Sequence, residues 1–279
     1  MATNYRVALV TGCDTGIGRE LALAFKAQGL SVHATGLDPA AMQDLTDRGI
    51  HVARLDVTRP EEIVALRDRL REQGERVDVI VNNAGYGAMG PVIEMPIDDV
   101  RRQYEVNVFG LLAVTQVFAE DMIERRHGLI VNIGSTSGVL TSPFAGVYCS
   151  TKAAVHALGD GLRMELKPFG IDVVRIEPNQ IRTRFGDTAA AGMAARFPPS
   201  SRYLAAKEAA VARAQGSQVD GAMPAEEFAV TVARAVLTEK PPVRLRLGRQ
   251  LWPYTLFKPF IPSRAVDRIL GKRFKLDKL

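Results

Sequence analysis

Apolar residues in this chain of 279 fall into short continuous runs, separated by longer stretches in which they recur every third or fourth position. The runs occupy residues 5–11, 31–35, 50–56, 77–82, 128–133 and 171–176, and each has the length of a strand buried on both faces. The periodic stretches at 19–25, 60–73, 98–125 and 145–167 predict helices. The first should end near Gly29, and the second should start from Thr58 as N-cap, with Glu61 and Glu62 in its opening turn. Strand and helix in alternation predict an α/β fold, a doubly wound parallel sheet in three α/β/α layers. Ligands of such sheets bind beyond the C-terminal ends of the strands. Past residue 182 the pattern breaks. Residues 182–225 are rich in Ala, Gly and Pro, with one helix expected at 202–215, and a helix at 224–237 and an alternating strand at 243–247 follow.

The candidate chemistry sits at those strand ends. After the first strand come Gly12, Cys13, Asp14, Thr15, Gly16, Ile17 and Gly18, and then a helical pattern. Strand, glycine-rich turn and helix open a dinucleotide-binding βαβ unit. The glycines let the backbone approach a pyrophosphate, and the helix N-terminus offers free N–H groups and partial positive charge. Tyr148 and Lys152 lie four residues apart, on one face of a predicted helix, so a phenol and an ammonium can converge. A phenol of ordinary pKa, about 10, is a poor acid–base at neutral pH, and a neighbouring cation favours its phenolate. Ser135 precedes Tyr148 by thirteen residues.

Taken in order, Thr11-Gly12-x-x-x-Gly16-x-Gly18, Asp56, Asn82-Asn83-Ala84-Gly85, Asn107, Ser135, Tyr148-x-x-x-Lys152 and Pro178 resemble the short-chain dehydrogenase/reductase family over roughly residues 5–185. Thr11-Gly12-Cys13-Asp14 and Pro143-Phe144 look most like its retinol and hydroxysteroid dehydrogenase branch. The resemblance implies a Rossmann fold and an enzyme interconverting a lipophilic alcohol and its ketone or aldehyde. In it Tyr148 exchanges the proton and Lys152 holds the nicotinamide ribose and lowers the Tyr148 pKa. Ser135 orients the substrate oxygen, and Asn107 holds a water linking Lys152 to solvent. By the same resemblance Asp56 and Val57 border the adenine, Asn83, Ala84 and Gly85 the adenosine ribose, and Ile181 and Thr183 the nicotinamide. The family usually has Gly after the proline. Asn179 stands there, and since Asn tolerates positive φ the turn is expected to survive. Residues 182–225 correspond to the substrate lid, with an ordinary surface excursion as the alternative.

For the cofactor, Gly36 and Leu37 stand where the family has a selecting acid or base. Asp38 lies twenty residues after Gly18, near the spacing of a ribose-binding acid. Asp14 adds negative charge to the phosphate loop, and Thr15 and Leu37 lack the cation that a 2′-phosphate calls for. The balance favours NAD, with NADP as the alternative.

Composition changes little except at the C-terminus. A hydrophobic fraction of 47% and a charged fraction of 24% are ordinary for a globular protein. No run of about 20 apolar residues stands out as a bilayer span. Two cysteines imply no disulfide framework, fit a reducing cytosol and suggest a cytoplasmic protein. The four histidines lack metal-ligand spacing, so no metal site is assigned. Residues 240–279 carry eleven Lys and Arg against Asp267 and Asp277, a balance of +9, which leaves −4 on the remainder. We therefore divide the chain into a catalytic domain, 1–249, and a basic, aromatic extension, 250–279. The aromatic run at 250–262 reads as packing over the substrate entrance or on a second subunit. Peripheral membrane contact is the less favoured alternative, and nucleic acid is disfavoured for lack of a motif. Family resemblance implies a homodimer or homotetramer through the helices at 98–125 and 145–167. Two further functions stay open, a 3-ketoacyl-thioester reductase and a non-catalytic NAD(P) sensor.

Overall fold

The computed structural model describes residues 4–248 and 261–279. Seven parallel strands form the main sheet, in the order β3-β2-β1-β4-β5-β6-β9. They are β1 (Val7–Thr11), β2 (Ser31–Gly36), β3 (His51–Arg54), β4 (Val79–Asn82), β5 (Gly128–Ile133), β6 (Ile171–Asn179) and β9 (Arg244–Gly248). The order reverses about β1, which pairs with β2 on one side and β4 on the other, so a crevice opens at their C-terminal ends.

Why the strands read as unbroken apolar runs follows from where their side chains go. Ala8 and Val10 of β1 and Val79 and Val81 of β4 face one core, where α1 (Gly16–Ala27) and α10 (Ala225–Val236) bring Leu21, Phe25, Phe228 and Val232. Leu9 and Ile80 face the other, covered by α3 (Pro60–Glu72) and α5 (Leu111–Arg125) through Ile63, Leu66, Phe118 and Met122. A period of two with both faces covered leaves no polar side to the strand. Each fully buried Leu or Phe stabilises the sheet by about 1.5–3 kcal/mol.

Two expectations are corrected, and two features are added to them. Thr58 is not the N-cap of α3. Its N–H and hydroxyl both donate to Asp56 Oδ1, at 3.0 and 2.7 Å, and Arg59 takes the cap position without a side-chain bond. The long helix expected at 98–125 runs unbroken from Ile97 to Arg125, with α4 (Ile97–Tyr104) and α5 joined by a π-helical turn at Glu105–Gly110. By length and composition the run Ile97–Arg125 could cross a bilayer, but its apolar face packs on the sheet through Val114, Phe118 and Met122. The region 182–225 holds more structure than one helix. It contains β7 (Ile181–Arg182) paired with β8 (Met223–Pro224), α7 (Phe185–Ala191), α8 (Met193–Arg196) and α9 (Lys207–Ala214). Finally, the C-terminal extension contains a helix the hydrophobic pattern did not suggest, α11 (Ser263–Arg273). The aromatic run itself, residues 250–260, lies outside the described residues.

Candidate active site

β1 delivers the chain into a turn in which Gly12 and Gly16 adopt φ of 70° and 67°, a region that penalises any Cβ. Space adds to the constraint: a Cβ on Gly12 would stand 2.8 Å from Ala84 Cα. Gly18 serves packing, since a Cβ there would meet the Gly12 carbonyl oxygen at 2.2 Å. Thr15 precedes α1 without a side-chain capping bond, and no acid occupies the first turn. The opening N–H groups and the positive helix end are thus directed at the crevice, an arrangement that suits a pyrophosphate.

Asn83 laces this turn to β4. Its amide donates to the Thr11 and Gly12 carbonyls at 2.9 and 3.0 Å, and the Thr11 hydroxyl accepts from the Asn83 and Ala84 N–H groups. At the far lip, Asp14 Oδ1 accepts the Asp38 N–H at 2.7 Å, and the Asp14 carboxylate rests on Gly36. The Asp38 carboxylate turns away from the crevice to accept the Ala40 N–H at 3.0 Å. Leu37 is exposed on the wall between them.

The crevice widens into a cleft of about 1020 Å³. On its wall stand Gly12, Asp14, Thr15, Gly16 and Ile17 from the turn, with Leu37, Asp56 and Val57 from the next two strand ends. Asn83, Ala84 and Gly85 follow from β4, Ser135, Tyr148 and Lys152 from the middle, and Pro178, Ile181 and Thr183 from the far side. Gly18, Asp38 and Asn107 are not on the wall.

α6 (Gly146–Leu166) carries Tyr148 and Lys152 one turn apart. Lys152 Nζ donates to the Ile133 carbonyl at 2.8 Å, and burial pulls its pKa down to about 8. Burial also pushes the Tyr148 phenol up to about 12, against a hydrogen bond from Ser135 and the positive charge of Arg213. The charge of Arg213, from α9, opposes that rise, and the Lys152 ammonium stands at the end of β5. The Tyr148 ring packs against Phe185 of α7, with centroids 5.5 Å apart.

Asn107 lies in the π turn, fully bonded. Its Oδ1 accepts the Tyr86 N–H at 3.0 Å, and its Nδ2 donates to the Tyr86 carbonyl and to Thr151 Oγ1 at 2.9 and 3.1 Å. It remains Lys152's neighbour: a Cβ on Gly85 would meet Asn107 Oδ1 at 3.0 Å and Lys152 Nζ at 3.7 Å. After Pro178 the left-handed residue is Gln180, with φ of 51°, and not Asn179. Asn179 continues β6, and its Oδ1 accepts a hydrogen bond from Thr136.

Three contributors escaped the sequence reading. His156, four residues beyond Lys152, accepts the Ser135 N–H at 3.4 Å, and burial, reinforced by the charge of Arg175, lowers its pKa to about 4. Its i+4 spacing was the available signal. Phe185 and Arg213 lie in residues 182–225, where no local pattern marks them.

A glycine cradle on a helix N-terminus, opening into a pocket with a serine, a tyrosine and a buried lysine, defines a nicotinamide-dependent oxidoreductase. When bound, NAD(P) donates or accepts a hydride. The comparisons agree. The family model of short chain dehydrogenases matches residues 6–194. A short-chain dehydrogenase of Penicillium ochrochloron is 35% identical, over 95% of this chain and 98% of its own length. The NADPH-dependent 1-acyldihydroxyacetone phosphate reductase of Saccharomyces cerevisiae is 30% identical, over 98% and 93%. The crystal structure of a Streptomyces avermitilis short-chain dehydrogenase is similar with a TM-score of 0.79, at 30% identity over 99% and 98% of the two chains. A Burkholderia phymatum relative solved with NAD has a TM-score of 0.77, at 25% identity over 96% of both chains. This chain belongs to the short-chain dehydrogenase family and is an NAD(P)-dependent oxidoreductase.

Proposed function

We propose that the enzyme reduces a lipophilic ketone or aldehyde to the alcohol, with Tyr148 as the proton donor. The observation that carries this reading is the convergence of Ser135 and Tyr148 on one cleft whose outer wall is apolar. Met89, Leu140, Phe185, Leu270 and Phe274 contribute to its lining. In our reading the Ser135 hydroxyl hydrogen-bonds the carbonyl oxygen and fixes its direction, while the Tyr148 O–H delivers the proton. Lys152 anchors the nicotinamide ribose. The yeast relative, named as a reductase of an acylated ketone, supports the substrate class.

Tyr148→Phe should lower kcat by at least about a hundredfold while the Kd for NAD(H), measured by calorimetry, stays within a few fold. Undiminished turnover in that variant would remove Tyr148 from the chemistry. Alcohol oxidation by the wild type should accelerate as pH rises toward the phenol's pKa, whereas ketone reduction should stay level through neutral pH.

A further inference from the structure

α9 buries Ala210 and Ala214 in an apolar cluster with Phe144 and Phe197 and brings Arg213 to the cleft, flanked on the wall by the small side chains of Ala209 and Ala212. The guanidinium is held along one edge. Nε donates to Ser142 Oγ at 2.8 Å and Nη2 to Ser137 Oγ at 3.1 Å. Ser137 in turn donates its N–H to Ser135 Oγ at 3.0 Å, so the cation is two contacts from the residue that meets the substrate oxygen. Both partners of Arg213 are neutral hydroxyls, which orient a guanidinium without cancelling its charge. Among the described residues no carboxylate pairs with it. Arg196, on the same wall, shows the contrast: it is tied to Asp99 at 3.0 Å. A half-buried, oriented guanidinium without a counterion is matched by an oxyanion, which accepts its remaining donors and replaces the lost hydration.

We infer that Arg213 is a specificity-determining residue that binds an oxyanion, carboxylate or phosphate, borne by the substrate close to the carbonyl that is reduced. The proposal rests on the ketone-reductase reading above and extends it: the substrate is an anionic amphiphile. Its charged end lies at Arg213, and its apolar portion runs toward Leu270 and Phe274 at the cleft mouth.

The test compares kcat/KM for matched ketones: 3-oxooctanoate against its methyl ester, and a long-chain hydroxyketone phosphate against the dephosphorylated ketone. The wild type should prefer at least one anionic member by about ten- to a hundredfold, mostly through KM. Arg213→Gln should bring that preference close to one, and Arg213→Lys should restore part of it. The ratio is insensitive to a general loss of activity, and circular dichroism with NAD(H) titration establishes that each variant is folded. Neutral ketones reduced without any anionic preference, or a preference that survives in Arg213→Gln, would overturn the assignment while leaving the reductase intact. If the wild type reduces none of the four ketones, the ketone-reductase reading falls, and the role of Arg213 with it.

Discussion

At the scale of one residue, Asp14 bears on the choice between NAD and NADP. Its carboxylate accepts the Asp38 N–H and sits against Gly36, at the strand end where an adenosine ribose would be read. A 2′-phosphate brought there would face this carboxylate, and the neighbouring wall position is Leu37 rather than a cation. We expect NAD to bind at least about tenfold more tightly than NADP, although the yeast relative is NADPH-dependent. The double substitution Asp14→Ser with Leu37→Arg should reverse the order. Calorimetric Kd values for both nucleotides on both proteins decide it, and equal affinities in the wild type would refute the argument. Asp38, which its spacing put forward for the ribose, accepts the Ala40 N–H on Oδ1.

Among the elements, α11 is the one whose consequence is least expected. It ends on Phe274, which is buried with its ring centroid 6.1 Å from that of Phe144. Phe144 also contacts Phe197 at 5.7 Å and Tyr203 at 6.0 Å, so one ring ties the segment 182–225 to the C-terminal helix. Removing the contact should both loosen the element and open the substrate wall. Phe274→Ala should cost about 3 kcal/mol in denaturant unfolding. It should also raise KM for a long-chain ketone more than for a short one. An unchanged KM ratio would restrict α11 to a structural role. The π turn in the middle of the long helical run has a different use. It carries Asn107 in beside Gly85 and Lys152, while Gly110 lets the helix pass close to Val57.

For the molecule as a whole, stability depends on tying covering helices to one another as well as to the sheet. Asp121 of α5 accepts from Arg71 of α3 at 2.6 Å and from Arg76 at 3.2 Å. Burial opposes its charge, but the Arg71 bond and the charges of Arg71, Arg76 and Arg125 hold the carboxyl below its usual range. A folded-state pKa below the unfolded one stabilises the protein above the unfolded value, near 4, and that contribution is lost as pH falls through the folded one. Asp121→Asn should therefore lower stability by on the order of 2 kcal/mol at pH 7. The difference from wild type should shrink below about pH 4. Urea unfolding at pH 7 and pH 3 checks it, and a constant difference would mean that packing, not charge, is lost.

What could be read from the chain alone was whatever depends on near neighbours in sequence. Strands declared themselves because burial on both faces demands unbroken apolar runs, and the turn after β1 did so because Gly12 and Gly16 adopt a backbone conformation that side chains resist. Tyr148 and Lys152 were paired by helical geometry alone. Tertiary structure decided the electrostatics: that the charge of Arg213 reaches the Tyr148 phenol, that Lys152 donates to the Ile133 carbonyl, and that Gln180 rather than Asn179 takes the left-handed turn. It also decided that α11 closes on Phe144. Periodicity and backbone preference are properties of adjacent residues, whereas a charge or a ring acts through space on whatever the fold brings beside it, however distant along the chain.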